Sequence, residues 1–203
     1  MNNHRIQALF VLSFPVVLSI GIFLIPVVPD YSDHVSVAQA VELSVRWFSG
    51  HLISAVAFAL SVLSVSGINT YLRDNSYELP SFILPIMAVG AGLYAAGLGA
   101  DGIAPLAVKS SGATPMLFFN GSGWLVTGTF IAATVLFGVG LISIVFHANQ
   151  CRMVEGIWRY VIFISAIIFV AAPAIPSGLG LYGEALAAYG VFVPLGLAVR
   201  RAA

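Results

Sequence analysis

Charge is what this chain has least of. Only 8% of its 203 residues are Asp, Glu, Lys or Arg, against about 25% in soluble domains. Cysteine is nearly absent too: the single Cys151 excludes an intramolecular disulfide and any zinc site built on cysteines. The formal net charge is zero and no basic cluster exists, so nucleic acid is excluded as a partner. No long polar segment occurs either, which leaves no room for a separate soluble domain; residues 1–203 read as one membrane domain. What the chain has instead is apolar sequence, at 60% hydrophobic residues and a mean hydropathy of +1.01.

The few charges lie in seams. Ile6–Pro29, Trp47–Leu72, Leu79–Ala100, Ser110–Gln150 and Tyr160–Gly183 contain no Lys, Arg, Asp or Glu. A spanning helix needs roughly 20 apolar residues. Six transmembrane helices are therefore expected, at Ala8–Val28, Trp47–Ile68, Pro80–Ala100, Trp124–Phe146, Trp158–Ile175 and Leu179–Val199. The fold class is all-α, a polytopic six-span bundle whose first partner is the lipid bilayer. Pro15 predicts a kink within the first span, since bilayer helices tolerate proline. Pro176–Gly178 is a tight turn that makes a hairpin of the last two spans.

Orientation follows the basic residues. With both termini inside, Arg5, Arg73, Arg152, Arg159, Arg200 and Arg201 face the cytoplasm, and only Arg46 and Lys109 face out. The chain is thus expected N-in and C-in, in a bacterial cytoplasmic membrane. The rival reading, a cleaved signal peptide ending at Ala38–Ala40, fails because the first apolar run is too long and the gap to Ala38 too wide.

The first loop carries a helix signal. Ser36 as N-cap with Gln39 three residues on reads as a capping box, opening a helical run-in over Val37–Phe48. Glu42 and Arg46 stand one turn apart and can pair; Trp47 is expected as an interfacial anchor. The second and fourth spans align without gaps at an offset of 73, matching Ser49-Gly50 with Ser122-Gly123, Ser54 with Thr127, Ser61 with Thr134 and Gly67 with Gly140. That echo suggests a parallel repeat of spans two and three in spans four and five, of the sort transporters are built from, although small residues recur in packed helices without duplication.

Candidate ligand-lining residues are His51, Ser54, Ser61, Asp101, Thr127 and Glu184. His51, Ser54 and Ser61 share one face of the second span, and ionisable groups within spans mark functional sites or paired interiors. His51, Asp101 and Glu184 are expected to converge beneath the Gly102–Gly123 loop, which either lies on the surface or dips back as a lid. Asp30, Asp33 and His34 carry metal-ligand chemistry, but no spacing matches a metal motif, so no metal is assigned. His51 and His147 end spans at opposite faces, which rules out that pair as axial ligands of a haem; the cofactor stays unassigned. A Gly-Ser-Gly triplet at Gly121–Gly123 resembles a rhomboid-type nucleophile, but no histidine follows His147 to act as base. No catalytic residue is assigned. In the third span, Gly92 with Ala96 and Ala95 with Gly99 form small-xxx-small pairs, expected to face another helix.

Pro29-Asp-Tyr-Ser-Asp-His34 after the first span, together with Gly99-Ala-Asp-Gly-Ile-Ala-Pro105, resembles a broad group of uncharacterised six-helix bacterial membrane proteins. The resemblance implies a compact six-helix bundle and no function. The chain departs from the group's pattern at the fourth span, where Trp124 stands in place of a histidine. The leading functional reading is non-enzymatic: binding or moving a small apolar or amphipathic molecule, or serving as a subunit of a membrane complex or oligomer. The alternative is a membrane-embedded, metal-assisted enzyme with an outward-facing site.

Overall fold

A computed structural model describes residues 3–201. Its helices are α1 (Asn3–Leu24), α2 (His34–Val41), α3 (Ser44–Asp74), α4 (Ile83–Ser110), α5 (Met116–Asn120), α6 (Gly123–Gln150), α7 (Trp158–Ala171, continued by a 3-10 turn over Ala172–Ala174) and α8 (Gly178–Arg201). No strand forms among the described residues. The protein is an all-α polytopic membrane protein: α1, α3, α4, α6 and α8 are each long and apolar enough to cross a bilayer. The expected count of six spans is corrected here, because the apolar helix Trp158–Ala174 is shorter than the others. Its α-helical and 3-10 parts together reach about 27 Å, close to the roughly 30 Å of hydrocarbon in a bilayer.

The long helices alternate in direction. His4 lies 3.5 Å from Asp74, and Gly196 packs on Leu12, so the start of α1, the end of α3 and the end of α8 share one end of the bundle, called here the terminal end. At the other, distal end, Gly178 N–H donates to the Val28 carbonyl and Tyr31 N–H to that of Pro176, both at 2.8 Å, tying the first loop to the α7–α8 turn.

The core has a simple plan. Each of the six longest helices contributes one ring to its centre: Phe14, Phe58, Tyr94, Phe137, Phe169 and Phe192, from α1, α3, α4, α6, α7 and α8. Phe58 stacks on Tyr94 at 4.1 Å between centroids, Phe14 meets Phe192 edge-on at 4.7 Å, and Phe137 lies 5.8 Å from Phe169. Lipid is as apolar as these side chains, so shape fit and ring geometry, not exclusion from water, hold such a cluster together. Leu9, Ile20, Phe23, Val89, Ile131, Val135 and Ile164 point outward and supply the apolar perimeter that lipid requires.

Several local expectations are corrected. Asp33, not Ser36, caps α2: its carboxylate accepts from Val35 N–H and from the Ser36 hydroxyl. The run-in is two helices broken at Glu42–Leu43. Glu42 pairs with Lys109 at 2.7 Å, while Arg46 donates to the Leu24 carbonyl. Trp47 is fully buried and anchors nothing at an interface. The third span does not stop at Ala100: α4 runs on through Asp101, Gly102 and Pro105 to Ser110, so the supposed 22-residue loop reduces to Ser111–Pro115 and the short α5. Gly92 and Ala96 are exposed, and a Cβ added at Gly92 would meet nothing within 4 Å. The close approach is made instead by Gly90, whose added Cβ would lie 2.4 Å from the Phe137 amide nitrogen.

The internal echo divides by depth. Gly67 packs on Gln7 of α1 and its match Gly140 on Met87 of α4, each facing the preceding long helix. Ser61 and Thr134 both donate to a carbonyl of their own helix. Toward the distal end the likeness fails, since Ser54 is buried and Thr127 exposed.

Candidate functional site: a polar layer near the distal end

Pro105 is the place to start. Proline has no N–H, so the carbonyl four residues before it in a helix loses its partner. That carbonyl belongs to Asp101, and the indole Nε1–H of Trp47 donates to it at 2.9 Å. One turn along α3, His51 Nδ1 lies 2.7 Å from the Trp47 carbonyl, and its ring packs against the Trp47 ring at 4.4 Å. His51 Nε2 lies 3.2 Å from Asp101 Oδ2. Gly102 permits this proximity: a Cβ there would fall 2.8 Å from that of His51. Two polar contacts between the helices, one contact within α3 that orients the imidazole, and one glycine thus latch α3 to α4.

The latch is half-sheltered. The His51 side chain is 5% exposed and that of Asp101 19%, so the pair opens toward the distal surface through Asp101. Phe119 of α5 closes over Trp47 in a T-shaped contact at 6.3 Å, and Phe118 beside it is buried. Tyr31 lies within electrostatic reach of Asp101, and burial first, then that carboxylate and Tyr182, push its hydroxyl's pKa well above the usual phenol value.

Glu184 is the other anomaly. It is 4% exposed, and its Oε1 has no hydrogen-bond partner; Ser19 Oγ and Ser54 Oγ share that condition. Helix α1 serves as a ruler for their heights. Ser54 lies against Gly21, Gly50 against Ile25, Gly196 against Leu12 and Gly178 against Val28. That register puts Glu184 opposite roughly Ile22 and Phe23 on α1, level with Leu52 and Ile53 on α3. Ser19, Ser54 and Glu184 therefore fall within about 6 Å of one another in height, on three different helices. Below them Tyr94 donates its hydroxyl to Thr134 Oγ1 at 2.7 Å, at the level of the ring cluster.

The structure thus brings His51 and Asp101 into contact and sets Ser54 and Glu184 at the same level. Ser61 lies deeper, its hydroxyl spent on the Phe58 carbonyl. Thr127 is exposed and bonds Gly123 within its own helix. Asp30 is engaged by Ser32, Asp33 by the α2 cap, and His34 by Asn120 at 2.6 Å; the neighbouring hydroxyls of Ser32 and Ser36 hold both carboxyls below their usual pKa. Among the described residues no group of three or more His, Cys, Asp or Glu side chains could hold a metal ion. Ser19 and Trp47 were not singled out by sequence as site residues; for Trp47 the readable signal was Pro105, four residues beyond Asp101. A cleft of about 220 Å³ lined by Asn69, Arg73, Glu78, Leu79, Pro80, Ser81 and Leu84 lies at the terminal end, away from all of these groups. No family model, curated protein or solved structure matches the chain.

Proposed function

We infer that this integral membrane protein binds or moves a small amphipathic molecule at the polar layer near its distal end, without performing chemistry on it. One observation carries the reading: of the four buried polar atoms without partners among the described residues, three, on Ser19, Ser54 and Glu184, lie at one height above an apolar ring cluster, with only Asn149 Oδ1 elsewhere. Buried polar groups are expensive unless hydrogen-bonded, and three at one level are economically explained by a ligand whose polar end completes them. An acid–base enzyme is less well supported, because both ring nitrogens of His51 are already engaged and neither is left for a substrate.

A long-chain alcohol bearing a photoreactive diazirine, incorporated into nanodiscs with the protein, tests this. Cross-links are expected to concentrate on α8 near Glu184 and on α1 near Ser19, and to fall to the level of perimeter residues in Glu184→Leu. Labelling spread evenly around the perimeter and unchanged by that substitution would refute the reading.

A further inference from the structure

The hydrogen bonds of His51 have a consequence for where a proton must sit. Nδ1 faces a backbone carbonyl, that of Trp47, and a carbonyl only accepts, so Nδ1 carries a hydrogen. Neutral imidazole has one N–H, so Nε2 of a neutral His51 would present a lone pair to Asp101 Oδ2. A carboxylate also only accepts, and two acceptors at 3.2 Å repel. The contact holds only with one more proton on it, either on Nε2, giving imidazolium and carboxylate, or on Asp101, giving a neutral acid donating to neutral imidazole. In both forms the pair carries the same single proton.

We propose that the His51–Asp101 pair is a proton-binding site, and that release of its proton unlatches the distal ends of α3 and α4. The proton's exchange route is the exposed edge of Asp101. Loss of the proton turns the Nε2–Oδ2 contact repulsive; the remaining tie between the helices at this level is the Trp47 indole on the Asp101 carbonyl. Closure needs that proton on the contact and opening releases it, so rising pH favours opening and falling pH favours closure.

Other charges facing the pair are few. Helix α1 offers no titratable side chain between Arg5 and Asp30. Tyr31, just beyond it, is the phenol in reach of Asp101. From the α2 side Glu42 is neutralised by Lys109, and His34 is held by Asn120. The distal half of α6 has no ionisable group. Helix α8 contributes Tyr182 and Glu184, the latter at the same height.

The test uses the whole protein in nanodiscs with Trp124 and Trp158 replaced by Phe, so that Trp47 is the sole emitter, and protons as the ligand. Trp47 emission is expected to shift to the red through a single-proton transition as the pH is raised from mildly acidic to alkaline. In Asp101→Asn the new amide N–H donates to Nε2 with no added proton, so the latch stays closed and the transition disappears. A transition that survives in Asp101→Asn, a parent that is flat across the range, or a transition abolished by Glu184→Gln while persisting in Asp101→Asn overturns the proposal. Should Asp101→Asn not fold, nitrogen-15 histidine NMR of the parent decides: Nδ1 protonated throughout, with the Nε2 resonance moving through a single proton-binding step, supports it, whereas a bare Nδ1 or an Nε2 resonance unmoved by pH sinks it. The proposal is independent of the amphipathic-ligand reading, which the photoreactive alcohol tests separately.

Discussion

Two glycines only two residues apart, on opposite faces of α4, show what single positions decide. Gly90 faces the α6 backbone and Gly92 faces outward. Gly90→Ala is expected to destabilise the bundle by about 1–3 kcal/mol, the cost of overpacking a filled interior. Gly92→Leu is expected to stay within about 0.5 kcal/mol of the parent, as outward substitutions do. Thermal unfolding in one detergent compares them; a Gly92→Leu variant that melts well below the parent would mean the outward face of α4 is covered by something in the native assembly. The pair also explains a misreading. Small residues lie on both faces of α4, Gly90, Ala91 and Gly97 inward, Gly92 and Ala96 outward, and small-xxx-small spacing alone does not say which set meets a helix.

At the scale of elements, the uncharged runs located every long helix, because a charge in hydrocarbon is costly wherever it falls. They misplaced the ends for the same reason. Hydropathy sees where charge begins, whereas a helix ends where its backbone finds another partner, so α3 and α4 overrun their apolar stretches to Asp74 and Ser110. Proline was the neglected signal. Pro105 lies inside α4 and empties the Asp101 carbonyl for Trp47. Pro105→Ala restores an N–H at that position, which should reclaim the carbonyl for the helix and leave the buried indole without an acceptor. Loss of one buried hydrogen bond with its donor unsatisfied costs about 1–3 kcal/mol, partly offset by the regained helix bond. The measurable outcome is faster amide exchange at the start of α3 around Trp47. Exchange there identical to the parent would show that the indole bond does not hold α3 and α4 together.

For the whole molecule, the sign pattern of the charges and the packing of the helices agree on which groups share an end. The His4–Asp74 contact, the Tyr77 hydroxyl on the Gln150 carbonyl and Asn149 on the Arg159 carbonyl gather Arg5, Arg73, Arg152, Arg159, Arg200 and Arg201 at the terminal end. The distal end retains Arg46, engaged by Leu24, and Lys109, engaged by Glu42. The sequence expected His51, Asp101 and Glu184 to converge, but it held no information on how α3 and α4 register and so could not say which of them touch. The concentration of arginine argues that the terminal end faces the cytoplasm, which would put the His51–Asp101 pair and Glu184 toward the outside. Cys151 is half-buried, and burial raises its thiol pKa, so it reacts poorly with maleimides and is best replaced by Ser. In that background, a cysteine at exposed Ser111 should be modified by an impermeant maleimide in intact cells. One at exposed Glu155 should react only after the membrane is opened. The reverse pattern would invert the protein in the bilayer and turn its proton-holding pair toward the cytoplasm; labelling of both sites in intact cells would mean that α6 does not separate them across the membrane.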